Sequence, residues 1–283
     1  MSEATLRVAV AQMTSIPDAD ANLASMKAAI ARAAAEGARL VAFPENALFM
    51  GPEQARLAAA QPVDGAWIEQ LREACATHAV AASVGSFAER TPDASRTANT
   101  SVFIASNGDL LGGYRKIHLF DVQVARDTVH RESDSVEAGP WSPTVVEWEG
   151  WRFGLSICYD LRFPELYREL SEQGAEVIMV PAAFTVRTGM AHWHTLLRAR
   201  AIENLCYVVA AAQSGVHFGE RETYGHSLVV SPWGEVIAES ESGPGLFVRD
   251  LQKERVRAAR AAIPALQHRR DPRASGLGSN QAK

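Results

Sequence analysis

Phe153-Gly154-Leu155-Ser156-Ile157-Cys158-Tyr159-Asp160-Leu161-Arg162-Phe163-Pro164-Glu165 is the stretch on which the reading of this chain turns. An apolar run delivers a cysteine to a turn, and Pro164-Glu165 opens a helix a few residues later. A strand–turn–helix unit of this kind belongs to α/β architecture. A turn there aims backbone N–H groups at a developing oxyanion, and a helix N-terminus favours negative charge. Such surroundings are expected to lower the thiol pKa and make Cys158 a nucleophile. The competing reading is a packed structural cysteine, since free Cys is among the most buried residue types.

Outward from that stretch, strand-like and helix-like segments alternate along the chain. Upstream, residues 6–11 read as a strand. Leu23, Met26, Ile30 and Ala33 then recur at helical spacing after Asp18 and Asp20, until Gly37. Residues 40–43 form a strand ending in Pro44-Glu45, a helix covers about 65–77, and strands are expected near 79–87 and 100–105. Asn107-Gly108 signals a hairpin leading into 110–116. Residues 122–139 are polar with broken periodicity and read as a long functional loop. Residues 145–148 and 151–157 flank Gly150 as a hairpin. Downstream come a helix over about 164–173, a buried strand at 176–180, a helix over about 191–204 and a strand at 207–212. A hairpin over 227–239 and a charged helix over about 251–262 complete the pattern. Hairpins between crossover helices argue for mixed sheets. Two sheets with helices outside, a four-layer α-β-β-α sandwich, accommodate this many strands in a single domain over 1–271, with a polar C-terminal tail at 272–283.

The chain has 283 residues, 47% hydrophobic and 22% charged, with a formal charge of −5. These are ordinary values for a soluble globular protein, and the interspersed charges recommend neither nucleic acid nor an anionic membrane as partner. No apolar run reaches the roughly 18 residues of a spanning helix, and residues 1–13 read as a first strand and not as a secretory signal. The three cysteines are far apart with no CxxC pair, which fits a reducing cytoplasm better than a disulfide framework or a zinc site.

Several other residues could carry chemistry. Glu45 ends an apolar strand, at the edge where open α/β sheets place ligands, and would suit general-base work; a solvated loop glutamate is the alternative. In Tyr114-Arg115-Lys116-Ile117-His118 a strand puts Tyr114, Lys116 and His118 on one face. Lys116 would stabilise a thiolate and an oxyanion, or be an exposed strand-end cation. His118 could instead partner Cys158 in a protease-like dyad. Cys75 and Cys206 read as structural. His192 and His194 lie two apart on a helix, point to different faces and chelate poorly, so no metal is expected.

Together these segments resemble the nitrilase, or carbon–nitrogen hydrolase, superfamily. Phe43-Pro44-Glu45, Arg115-Lys116-Ile117-His118 and Cys158-Tyr159-Asp160-Leu161-Arg162-Phe163-Pro164-Glu165 stand in the family's order, and the likeness runs from about Val8 through Asp271. The resemblance implies a Glu-Lys-Cys triad carried onto Glu45, Lys116 and Cys158, and a second glutamate at Glu132, within Arg131-Glu132-Ser133, orienting the lysine or the substrate amide. It implies an α-β-β-α sandwich paired as a homodimer, and hydrolysis of a small amide through a thioester, with the Tyr159 N–H as oxyanion donor and no cofactor. Pro181-Ala182-Ala183-Phe184-Thr185, Ala191-His192-Trp193 and Thr223-Tyr224-Gly225-His226-Ser227 look like the Nit-type branch, whose members act on deaminated glutathione or on α-ketoglutaramate. Both compounds carry carboxylates, so Arg162 and Arg187 are candidate cations, with Phe184 and Thr185 lining the pocket. Residues 122–130 lack the Pro-Gly of many relatives and could form a lid. An N-carbamoyl hydrolase or aliphatic amidase of the same superfamily, or a non-catalytic binding scaffold, are the rival readings.

Overall fold

Strand β1 (Thr5–Gln12) shows how the layers arise. Val8 and Val10 join one apolar cluster and Ala9 and Ala11 another, the alternation expected when both faces of a strand are buried. The computed structural model describes residues 5–125 and 128–270. Its first sheet runs in the order β18 (Gly245–Gln252), β1, β2 (Leu40–Ala42), β3 (Ala81–Ser83), β5 (Thr97–Ile104) and β4 (Phe87–Arg90), with β6 (Leu110–Arg115) and β9 (Val136–Glu137) also paired to β5. The second runs β10 (Val145–Trp148), β11 (Trp151–Leu155), β12 (Val177–Met179), β13 (Tyr207–Ala210), β16 (Leu228–Val230) and β17 (Val236–Glu239). In each sheet three central strands are parallel and the flanking pairs antiparallel, so the sheets are mixed.

Helices α1 (Ala19–Ala35) and α3 (Ala66–His78) pack Leu23, Met26, Ile30, Trp67 and Leu71 against Val41, Val84 and Val102 of the first sheet. The opposite face of that sheet meets the second sheet through Val8, Leu40 and Phe103 against Phe153, Trp148 and Val208; the Phe103 and Phe153 rings lie 5.0 Å apart. Helices α4 (Pro164–Glu172) and α5 (Val186–Asn204) cover the far side with Leu166, Tyr167, Leu170, Trp193 and Leu197. This is the four-layer α-β-β-α sandwich. Each fully buried large apolar side chain contributes about 1.5–3 kcal/mol, and Leu197, Phe153 and Met26 have no exposed surface.

Several elements differ from the sequence expectation. The expected loop over 122–139 contains a hairpin, β7 (Asp121–Ala125) with β8 (Thr128–Arg131), then a 3₁₀ turn at Glu132–Asp134 and β9. Its strands are only five and four residues long, so the brief alternation of Val122 and Val124 with Asp121 and Gln123 did not stand out. The proposed lid at 122–130 includes residues 126–127, outside the described residues, as does the tail at 272–283. Helix α5 begins at Val186, earlier than 191, because the Thr185 side chain caps it by accepting from the Thr188 N–H. Helix α2 (Glu53–Ala59), the hairpin of β14 (Ser214–Phe218) and β15 (Arg221–Tyr224), and β18 had no counterpart in the sequence reading. A last charged helix, α6, spans Lys253–Ala262. No helix among the described residues is long and apolar enough to cross a membrane.

Candidate active site

The ends of the central strands converge on one cavity of about 240 Å³. Glu45 lies three residues past β2, on a turn laced to its neighbour: the Asn46 N–H donates to Ser86 Oγ at 3.0 Å and the Ala47 N–H to the Ser86 carbonyl at 3.1 Å. Asn46 takes a left-handed φ of 56° to make that turn. Gly85 makes it possible. At φ +79° a β-carbon there would stand 2.0 Å from the Pro44 carbonyl oxygen, so only glycine fits behind the glutamate. Lys116 follows β6 directly and is 2% exposed. Cys158 opens a 3₁₀ turn, Cys158–Arg162, after β11, itself at φ 48°.

The three side chains are tied together. Lys116 Nζ donates to Glu45 Oε1 at 2.9 Å and to Glu132 Oε2 and Oε1 at 2.8 and 3.1 Å. Glu45 Oε2 also accepts from the Ala183 N–H at 3.0 Å, and Glu132 Oε2 from the Phe120 N–H at 2.7 Å. Asn99, which sequence reasoning missed, spans both carboxylates: its Nδ2 donates to Glu45 at 3.0 Å and to Glu132 at 3.3 Å. The available signal was a polar side chain inside strand β5, all of whose residues are buried. Burial alone would pull the Lys116 ammonium down, but Glu132 and Glu45 outweigh it and raise it well above the usual lysine value. Burial would likewise raise the Glu132 carboxyl, yet Lys116 holds it low.

The thiol departs from the sequence expectation. Burial and the Glu45 carboxylate push Cys158 well above the ordinary thiol range, and Lys116 opposes them only in part. The expected lowering assumed a solvated thiol before a helix; the actual one is 7% exposed and faces a carboxylate. These surroundings favour the protonated thiol over the thiolate. The Cys158 N–H donates to the Pro181 carbonyl at 2.8 Å, whereas the Tyr159 N–H has no protein acceptor among the described residues, leaving it available as the expected oxyanion donor.

The dyad of His118 with Cys158 does not form. His118 Nδ1 pairs with Asp160 Oδ1 at 2.7 Å, and its ring stacks on Phe163 at 3.7 Å. Asp160 has no exposed surface and accepts from the Tyr114 hydroxyl at 2.7 Å and from the backbone N–H groups of Ile157 and His118 at 2.9 and 3.1 Å. It therefore pins the nucleophile turn to the Lys116 segment.

Phe184, Thr185 and Tyr159 line the cavity. Arg162 and Arg187 do not. The Arg162 guanidinium lies 5.7 Å from the Phe184 ring and 5.8 Å from the Tyr159 ring, with Nη2 3.3 Å from His192 Nδ1. It thus stands behind the aromatic wall. Arg187 points into solvent from the first turn of α5. The cations that do line the cavity are Lys116, Arg56, Arg131 and Arg221. The last three sit on or beside α2 and the β7–β8 and β14–β15 hairpins, mostly the elements the sequence did not show. Away from the cavity, His194, His226 and Glu239 bring their ligand atoms within 4.8 Å of one another. Glu239 Oε1 accepts both histidines at 2.9 and 2.7 Å, ordinary hydrogen-bond distances, and His192 takes no part. Cys75 and Cys206 are fully buried, and burial raises each to about 12.

The carbon-nitrogen hydrolase family model matches residues 7–261. The chain belongs to the carbon–nitrogen hydrolase family. It is 43% identical over 263 residues to the deaminated glutathione amidase of Synechocystis sp., covering 92% of this chain and 97% of that protein. The solved structure of the Caenorhabditis elegans NitFhit protein superposes with a TM-score of 0.89 at 39% identity, over 95% of this chain and 66% of that one. A structure of the amidase from Nesterenkonia sp. AN1 superposes with a TM-score of 0.77 at 29% identity, over 92% of this chain and 98% of that one. In it acrylamide has added to the active-site cysteine. As a member of this family the chain is a hydrolase acting on carbon–nitrogen bonds.

Proposed function

We propose that the protein is a cysteine-dependent amidase that hydrolyses a small carboxylated amide, deaminated glutathione first among candidates, to the acid and the amine of the scissile bond. The observation that carries the chemistry is the buried set of Glu45, Lys116 and Cys158 beside the uncommitted Tyr159 N–H, all at one cavity. Glu45 accepts the Cys158 proton as sulfur attacks the amide carbonyl. Lys116 and the Tyr159 N–H stabilise the tetrahedral oxyanion, while Glu132 and Asn99 hold the lysine and the base. The C–N bond breaks, the proton on Glu45 passes to the leaving nitrogen, and the amine departs from a thioester, as cysteinylglycine from deaminated glutathione or as ammonia from a primary amide. Glu45 then takes a proton from water, hydroxide adds to the thioester carbonyl, and the C–S bond breaks. The proton returns to sulfur as the acid leaves. No step calls for a cofactor.

The substrate rests on the similarity to deaminated glutathione amidases over nearly the whole chain and on the cations lining the cavity. A reducing cytoplasm suits a catalytic thiol with two further free cysteines. A homodimer belongs to the same reading, supported by Met190 and Ile202 on α5 and Trp233 after β16, which are 72%, 48% and 55% exposed. The deciding experiment follows cysteinylglycine release from deaminated glutathione and ammonia release from α-ketoglutaramate, with Cys158→Ala as control. A higher kcat/KM on deaminated glutathione, abolished in the control, is expected. Faster turnover of α-ketoglutaramate would make the protein an omega-amidase, and turnover of neither would overturn the substrate assignment.

A further inference from the structure

The arginines of this molecule that are partly buried mostly have their charge met. Arg200 donates to the Leu161 carbonyl and to Glu203, and Arg168 lies 3.6 Å from the same glutamate. Arg56 is different. Half-buried on α2, it lines the cavity that holds Cys158 and Lys116. Its Nη2 donates to Ser135 Oγ at 2.6 Å, and among the described residues no carboxylate oxygen lies within ion-pair distance of it. A guanidinium carries five N–H donors in a fixed fork. Ser135 takes one of them among the described residues, and the others are not buried without a partner, so they stay open to a ligand that supplies acceptors. The setting bears this out: burial lowers the Arg56 guanidinium, and the more distant Glu132, Glu53 and Glu45 charges only partly compensate.

Arg221 repeats the pattern from the β14–β15 turn. It lines the same cavity, makes no ion pair among the described residues, and lies near enough to His130 to oppose its protonation. Ser135, buried beside β9, fixes the direction of Arg56. A planar monoanion satisfies a guanidinium fork with two parallel hydrogen bonds, whereas a dianion would be repelled by Glu45, Glu53 and Glu132 around the same space.

We infer that Arg56, seconded by Arg221, is the carboxylate receptor of this enzyme and makes it select amides that carry a carboxylate remote from the scissile bond. The inference rests on the amidase reading above and assigns the selectivity to α2 in place of Arg162 and Arg187. Its test compares succinamate with butyramide, amides of equal chain length with and without a carboxylate. Arg56→Gln lowers kcat/KM on succinamate roughly 10- to 150-fold, the range for losing hydrogen bonds to a charged group. The loss falls chiefly on KM, butyramide changes less than about threefold, and Arg56→Lys restores part of the loss because an ammonium lacks the fork. Equal losses on both amides, or none on either, overturn the inference. Should wild-type protein turn over neither amide while it hydrolyses deaminated glutathione or α-ketoglutaramate, calorimetric binding of succinamate to Cys158→Ala with and without Arg56→Gln still decides. Binding that requires Arg56 upholds the receptor; binding indifferent to Arg56, or no preference for succinamate over butyramide, refutes it.

Discussion

The floor and the mouth of the cavity are built on opposite principles. At the floor, Glu45, Lys116 and Cys158 are 4%, 2% and 7% exposed, each within three residues of a strand end, and every charge is answered by another. At the mouth, Arg56, Arg131 and Arg221 stand on or beside peripheral excursions with no carboxylate against them among the described residues. The floor is pre-organised for a charge that develops during reaction; the mouth is left unfinished for a charge that arrives with the ligand. Chemistry is thereby tied to the packing of the sandwich, and selectivity to elements that the sandwich does not need.

Substitutions at the floor are expected to have the largest effects. Cys158→Ala removes the nucleophile and costs on the order of 10⁵-fold or more in kcat, read as release of the leaving amine or ammonia, while Cys75→Ala leaves kcat/KM within a few-fold. Comparable losses in the two variants would break the contrast. Lys116→Met deletes one oxyanion donor, worth roughly 10²–10³-fold. It also strands the Glu45 and Glu132 carboxylates, so that urea unfolding registers a loss of about 3–5 kcal/mol. Unchanged stability there would mean that water reaches these carboxylates.

Asp160→Asn probes the positioning of the nucleophile turn. It replaces the acceptor of Tyr114, Ile157 and His118, and a shift of the thiol of even 1 Å lowers kcat by as much as about a hundredfold, with KM nearly constant. A change confined to KM would place Asp160 outside the catalytic geometry. The protonation of Cys158 is tested by alkylation. A thiol raised above its unfolded value of about 8.5 keeps its proton at pH 7, so inactivation by iodoacetamide should keep accelerating above pH 9. The same sign makes its stability contribution complete below the ordinary thiol range and lost as pH rises beyond it. A plateau near pH 7 would instead reveal a resting thiolate–ammonium pair. The smallest effect belongs to Arg187→Gln, expected to change kcat/KM on a carboxylated amide by less than about twofold. A tenfold loss would extend the mouth to the start of α5.

The layered fold was legible because alternation and helical spacing are local. The runs at 6–11, 40–43 and 207–212 declare buried strands, and Leu23, Met26, Ile30 and Ala33 a helix. The β7–β8 and β14–β15 hairpins were not legible, since strands of four or five residues carry too short an alternation to stand out. Helix α2 has no buried residue to mark its face.

At the site, the sequence by itself determined that Glu45, Lys116 and Cys158 end strands, and it named them together with Glu132, Tyr159, Phe184 and Thr185. Only the tertiary structure decided what each faces. Asn99 and Asp160 act through contacts 33 to 54 residues away along the chain, and Gly85 matters because the Pro44 carbonyl passes behind it. The thiol pKa reverses from the local expectation because burial and Glu45 outweigh the turn. Arg162 yields its place to Arg56 for a similar reason. Spacing along a chain fixes which residues share a face, but desolvation and charge pairing depend on which remote segments close over them.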